Sequence, residues 1–283
     1  MNLLGIDFED WYHPELIQKY VRDKKHDPIM FKGLDKILEL LRKNNVLATF
    51  FVVGELVESN PEIFDKIIEN EHEIAFHTMH HTKIDTPNFK ENFHDEIEKF
   101  SDLTNKKSKG FRAPTFSLNE KSSWIIDSLY EHNYLYDSSV VPAKTDLYGI
   151  PDAETKPYRI SSSSIERDTE DGKLIEFPLL VTKFLGKKIP AGGGFYLRTL
   201  PIKIIKNAIK NYEKQEIPAT FYIHSWELTP EYMPKIELPF KENFVTYHNI
   251  NKAYKRMDEL LMEFQFTAFS QYISNGTKFS NQI

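Results

Sequence analysis

The chain has 283 residues, a formal net charge of −6, 28% charged residues and no cysteine. Its lysines are spread out with no arginine-rich block, which argues against a nucleic-acid binder, and the lack of cysteine removes disulfides, thiolate metal sites and cysteine nucleophiles together. A carboxylate at Asp7 interrupts the N-terminal apolar run too early for a signal peptide, and no apolar stretch approaches the roughly 20 residues that span a bilayer, so the expectation is a soluble, cytoplasmic protein without a transmembrane segment.

Leu3 to Phe8 reads as a buried strand running into the carboxylates Asp7, Glu9 and Asp10. Pro14 to Tyr20 fits a short helix. Phe31 to Lys43 carries Leu34, Ile37, Leu38 and Leu41 at helical spacing. Val46 to Val53 (VLATFFVV) is a near-continuous apolar run of strand length, as in a buried parallel strand. Pro61 and Glu62, behind Ser59 or Asn60 as cap, open the next helix. Glu73 to Phe76 is a short strand leading into HTMHH, His77 to His81. Phe89 to Leu103 is a helix, and Gly110 to Pro114 is a strand end broken by proline. Glu120 to Glu131 is a helix capped by Asn119, and Tyr134 to Val140 is another strand.

Residues 141–172, with several prolines and four consecutive serines, read as an irregular insert. Leu174 to Leu180 is a strand, Leu200 to Tyr212 a helix, and Ala219 to Glu227 a strand bearing His224. A polar, proline-containing loop leads to a helix at Asn249 to Met262. Phe264 to Ile273 reads as a last strand, with a flexible tail from about 273 to 283. No internal repeat or linker divides the chain, so residues 1–283 are expected to form one domain. Strands alternating with helices long enough for parallel crossovers imply an α/β fold. The polar residues gather where several strands end, which favours a (β/α) barrel over a doubly wound open sheet.

The chemistry is concentrated at four of those strand ends. Asp10, His77 and His81 supply one carboxylate and two imidazoles, the donor set of a catalytic zinc site; a surface histidine cluster is the plainer alternative. Glu9 beside Asp10 could act as a general base toward a water, and Asp7 is the competing carboxylate. In a regular strand Glu9 and Asp7 both point away from Asp10, so the strand must bend if all are to share a site. Arg112 suits a brace for the base carboxylate, or a surface salt bridge. His224 suits a general acid, or a buried histidine with a partner. GGGFYLR, Gly192 to Arg198, lacks the flanking residues of a nucleotide loop, so its glycines either approach a substrate or make a turn. Trp11, Tyr196 and Trp226 could stack on sugar rings or simply pack the barrel end.

These segments in order resemble a polysaccharide deacetylase of the NodB-homology type, carbohydrate esterase family 4, and within it a branch associated with exopolysaccharide and exosortase gene clusters. The resemblance rests on DFEDW (Asp7 to Trp11), ATFFV (Ala48 to Val52), HEIAFHTMHH (His72 to His81) and FRAPTFS (Phe111 to Ser117). It continues through YDSS (Tyr136 to Ser139), YGIPD (Tyr148 to Asp152), GGGFYLR and FYIHSWE (Phe221 to Glu227). It implies a distorted (β/α) barrel with fewer than eight regular units. It also implies a metal-dependent hydrolase that removes N-acetyl groups from aminosugar units of a glycan. One divalent ion, most often zinc, would be held by Asp10, His77 and His81. Glu9 falls at the position of the base, with Asp7 as substitute. Arg112 would brace the base, with Asp137 as its partner, and His224 would be the acid. Trp11, Thr115, Gly193, Tyr196, Arg198 and Trp226 would meet the substrate, and His80 would bind no metal. Relatives that open cyclic amides or cleave O-acetyl groups supply the alternative chemistry, and a weakened glycan-binding protein the non-enzymatic one.

Overall fold

Strand β1 (Asn2–Phe8) divides its side chains between two environments. Leu4, Ile6 and Phe8 join the large core between sheet and helices, together with Leu34, Ile37 and Leu41. Leu3 joins a second cluster with Phe51, Ala75, Tyr136, Phe177 and Phe269. Successive strand residues face opposite ways, so the second cluster fills the inside of a curled sheet. The computed structural model in which this is seen describes residues 1–21 and 26–275.

The strands are β1, β2 (Thr49–Val52), β3 (Glu73–Phe76), β4 (Gly110–Phe111), β5 (Tyr136–Asp137), β6 (Tyr158–Ile160) and β7 (Leu174–Glu176), followed by the hairpin β8 (Val181–Phe184) and β9 (Lys187–Pro190), then β10 (Thr220–His224) and β11 (Phe266–Thr267). The main sheet runs β10-β1-β2-β3-β4-β5-β7-β6, parallel except for β6 on β7. Past β7, Leu179 bridges to Thr220 of β10, and Leu180 N donates to Thr220 O at 2.9 Å. That contact closes the parallel strands into a barrel with fewer than eight units and sets aside the open-sheet alternative.

Helices α1 (Glu15–Val21), α2 (Leu34–Lys43), α3 (Gly54–Ser59), α4 (Glu62–Glu69), α5 (Phe89–Leu103) and α6 (Trp124–Glu131) precede the insert. After β9 come α7 (Gly194–Thr199), α8 (Ile202–Glu213), α9 (Ser225–Leu228), α10 (Phe240–Tyr247), α11 (Ala253–Glu263) and α12 (Phe269–Ser274). The start of α12 stoppers the barrel end away from the histidines. There Ser270 N donates to Glu73 Oε2 at 3.0 Å and Phe269 N to Thr49 Oγ1 at 3.0 Å. A half-buried carboxylate thus caps the positive end of a helix dipole.

Several elements differ from the sequence reading. The strand expected over Ala219 to Glu227 stops at His224 and turns into α9, because Glu227 bonds back to His224. The strand expected over Phe264 to Ile273 is mostly α12. The proline-containing loop holds α10, and β8–β9 and α3 were not foreseen. The 141–172 insert places β6 on the sheet edge. Most of the tail from 273 onward lies outside the described residues. Among the described residues, no helix is long and apolar enough to cross a membrane.

Candidate active site

The inward face of β1 continues past the strand: Leu3, Gly5, Asp7 and Glu9 share one side. Gly5 is required there, because a Cβ would lie 2.7 Å from Arg112 Nη1. The Arg112 guanidinium, wholly buried, fills the space. It stacks over the Phe51 ring at 3.9 Å and donates from Nε to Ser138 O at 3.0 Å, from Nη2 to Ser138 Oγ at 2.9 Å and from Nη1 to Asp7 Oδ1 at 2.5 Å. Of the two candidate bases, Arg112 contacts Asp7.

Asp137 does not brace Arg112. In the parallel register Phe111 pairs with Asp137, so Arg112 stands inward beside Ser138 while Asp137 points out of the barrel. There it adjoins Glu176, its register partner on β7, and accepts a hydrogen bond from Ser139 Oγ at 2.5 Å. Burial pushes its pKa up to about 6.

Among the described residues, Glu9, His77 and His81 form a buried group whose ligand atoms lie within 4.8 Å of one another. Asp10, expected from the sequence as the carboxylate of this group, is not part of it. Asp10 points to the opposite side of the chain and accepts from the backbone N–H groups of Trp11 (2.9 Å), Ile29 (2.7 Å) and Met30 (2.8 Å). It pins the 3₁₀ turn ahead of α2 onto the end of β1. Strand alternation was the signal available: Glu9 shares a face with Asp7, and Asp10 does not.

The donor atoms suit a metal. His77 Nδ1 donates to Arg112 O at 2.7 Å, which leaves its Nε2 lone pair facing the group. Burial lowers the His77 pKa to about 4, so the ring is neutral. His81 Nε2 lies 2.8 Å from Glu9 Oε2, yet Oε2 receives no hydrogen bond although it is buried. Two ligand atoms aimed at a common point rather than at each other produce that geometry. Burial would raise the Glu9 pKa, but the imidazoles of His81, His224 and His77 hold it well below the carboxylate range. Its other oxygen accepts from Trp226 Nε1 at 2.9 Å.

The opening of HTMHH into separate roles follows from its backbone. Thr78 and His81 adopt left-handed φ values of 59° and 53°, turning His77 and His81 inward while His80 faces out. His80 is exposed and bonds Glu55 through Nδ1 at 2.8 Å. Glu55 also meets His13 Nε2 at 2.8 Å, and the buried His13 ring stacks on His81. Glu55 and His13 were not singled out in the sequence.

His224 closes the other side. Its Nδ1 bonds Glu227 Oε2 at 2.7 Å, and its Nε2 lies 3.6 Å from Glu9 Oε1. Burial opposes a charge on this ring, but the carboxylates of Glu227 and Glu9 outweigh it and push its pKa up to about 9. Glu227 is held in turn by Arg198 Nε at 2.6 Å. The other Arg198 nitrogens reach His248 O at 2.6 Å and Val245 O at 2.8 Å. Arg198, expected at the substrate, lines the cleft and also positions Glu227. Glu227 was missed, although its place three residues after His224 in HSWE is a capping-box signal.

A cleft is lined by Asp7, Glu9, His77, His81, Thr115, Phe116, Tyr148, Phe195, Arg198, Tyr222, His224, Trp226 and Glu227, among others. Thr115 lies in it with a left-handed φ of 54°, an uncommon conformation for a β-branched residue. Three expected substrate residues do not line it. Trp11 packs edge-on to Tyr12 and His26, beside the core of Met30 and Trp226. Tyr196 is half-buried and in contact with Tyr148. Gly193 is buried against Tyr222, where a Cβ would lie 2.5 Å from the ring. The glycine triplet serves close packing of α7 on β10 and Glu227.

A family model described as polysaccharide deacetylase matches residues 28–132, and one described as a domain of unknown function, DUF3473, matches residues 138–274. A chitooligosaccharide deacetylase from a Bradyrhizobium strain is 42% identical over 45 residues, 16% of this chain and 20% of the relative. A peptidoglycan-N-acetylglucosamine deacetylase from Bacillus cereus is 41% identical over 46 residues, 16% of this chain and 22% of the relative. The chain thus spans about a fifth of the length of these relatives. The crystal structure of a putative polysaccharide deacetylase from Mycobacterium smegmatis superposes with a TM-score of 0.60 at 16% identity, covering 96% of this chain and 88% of that one. That likeness carries the fold.

Proposed function

The chain belongs to the polysaccharide deacetylase family, and from that premise we propose that it is a metal-dependent hydrolase removing N-acetyl groups from aminosugar units of a glycan or glycan precursor. The observation that carries this reading is the buried Glu9 Oε2, without a hydrogen-bond donor beside His77 and His81. Two imidazoles and a carboxylate fit zinc or a similar divalent ion. When bound, such an ion supplies Lewis-acid polarisation of the acetyl carbonyl and a lowered water pKa.

The residues of the chain do the rest. Glu9, His77 and His81 hold the ion. Asp7, fixed by Arg112, accepts the proton of the attacking water. The Thr115 region of the cleft faces the developing oxyanion. His224, fixed by Glu227, gives a proton to the departing nitrogen as its bond to the acetyl carbon breaks. Water and amide become acetate and a free amine. Phe195, Tyr148 and Trp226 form the cleft walls against which a sugar packs.

The test is acetate release from a panel of N-acetylated oligosaccharides, with and without chelator. Chelator-sensitive release on at least one glycan is expected. Release from O-acetyl esters or opening of a cyclic amide, with no N-deacetylation, would move the substrate class. No turnover with a loaded ion would leave a glycan-binding protein.

A further inference from the structure

On the outer surface, His94 and Glu98 stand one turn apart on α5, and His132 caps the C-terminal end of α6. None of the three lines the cleft. One ligand atom from each lies within 4.8 Å of the other two. His132 Nδ1 lies 2.7 Å from the Ser128 carbonyl, which can only accept, so this nitrogen carries the proton. The His132 Nε2 lone pair is thereby aimed at His94 Nδ1, 3.0 Å away. On its far side, His94 Nε2 lies 3.4 Å from Glu98 Oε1.

A neutral imidazole has a single N–H, so it cannot satisfy both of these contacts. If His94 donates to His132, its other lone pair confronts a carboxylate. If it donates to Glu98, two imidazole lone pairs face each other. The cluster is short of one positive charge. An ion between His94 Nδ1 and His132 Nε2 would leave His94 Nε2–H to donate to Glu98, and the His132 ring is already fixed by a backbone carbonyl, the outer support usual for a metal-ligating histidine.

We propose that His94, Glu98 and His132 form a second divalent-metal site, of the zinc class, that staples α5 to the end of α6. The site is separate from the catalytic group and structural in effect. An ion bound only by the folded chain stabilises it by mass action. The competing occupant is a proton on His94, which would bridge the same two neighbours.

The experiment uses full-length protein stripped with chelator and titrated with zinc chloride alone. The parent takes up two ions per chain; His132→Gln and His94→Gln each take up one and keep the parent's deacetylase activity. His77→Ala isolates the second site: it takes up one ion, and zinc at about 100-fold over the dissociation constant raises its Tm by roughly 5 °C. Adding His132→Gln to His77→Ala abolishes both uptake and shift. If His77→Ala binds no zinc, or if its Tm shift survives His132→Gln, the proposal is overturned. A parent that binds a single ion, lost in His77→Ala, likewise overturns it while leaving the catalytic reading intact.

Discussion

Asp7 Oδ1 and Arg112 Nη1 lie 2.5 Å apart at the closed heart of the barrel, with Asp7 only 3% exposed and Arg112 not at all. Two residues along the same strand face, Glu9 meets His81. One carboxylate is therefore paired with a fixed cation, and the other faces imidazoles.

That division separates the two carboxylates by experiment. Asp7→Asn should retain metal and fold and lose about 10²–10⁴-fold in kcat/KM, the usual cost of a positioned base. Glu9→Gln should lose tight zinc binding as well. Metal content and kcat/KM are measured on both variants with one active substrate. A Glu9→Gln protein that binds zinc like the parent would reverse the assignment.

Arg112 is a buried charge with one ionic partner among the described residues, so deleting it leaves Asp7 uncompensated. Arg112→Met should cost about 3–5 kcal/mol in urea denaturation, and adding Asp7→Asn should restore part of that. A double variant no more stable than Arg112→Met alone would show that the pair is not the source of the loss.

Arg198 and Gly194 are expected to act through Glu227. A Cβ on Gly194 would fall 1.7 Å from Glu227 Oε2, and Arg198→Met removes the Nε donor to the same carboxylate. Gly194→Ala and Arg198→Met should each lower kcat with little change in KM, because His224 loses its fixed orientation. A raised KM at unchanged kcat would return Arg198 to the substrate.

His72 makes stability depend on pH. It is buried, its Nδ1 accepts from Ala48 N at 3.3 Å, and burial lowers its pKa from 6.5 to about 4. The folded state favours the neutral ring, so this contribution is complete above pH 6.5 and is lost as pH falls toward 4. The parent should lose about 3 kcal/mol more than His72→Gln over that window. Parallel denaturation curves across it would contradict this.

Much of the barrel was legible in the order of residues. Apolar runs such as VLATFFVV and the spacing of Leu34, Ile37, Leu38 and Leu41 reflect local periods of strand and helix, which need no knowledge of neighbours. His77, His81, Arg112 and His224 were likewise visible as polar residues at strand ends, and the cleft brings together Asp7, Glu9, both histidines and His224. The partners were not legible. Whether Arg112 meets Asp7 or Asp137 depends on the facing of β4 and β5, and whether Asp10 or Glu9 meets the histidines depends on which way β1 is turned. Glu227, Arg198 and Glu55 gain their roles from contacts between segments distant in sequence or from a strand ending one turn early. Local sequence carries periodicity and donor chemistry; register and facing, which choose among neighbouring carboxylates, are set only when the barrel closes around a buried guanidinium.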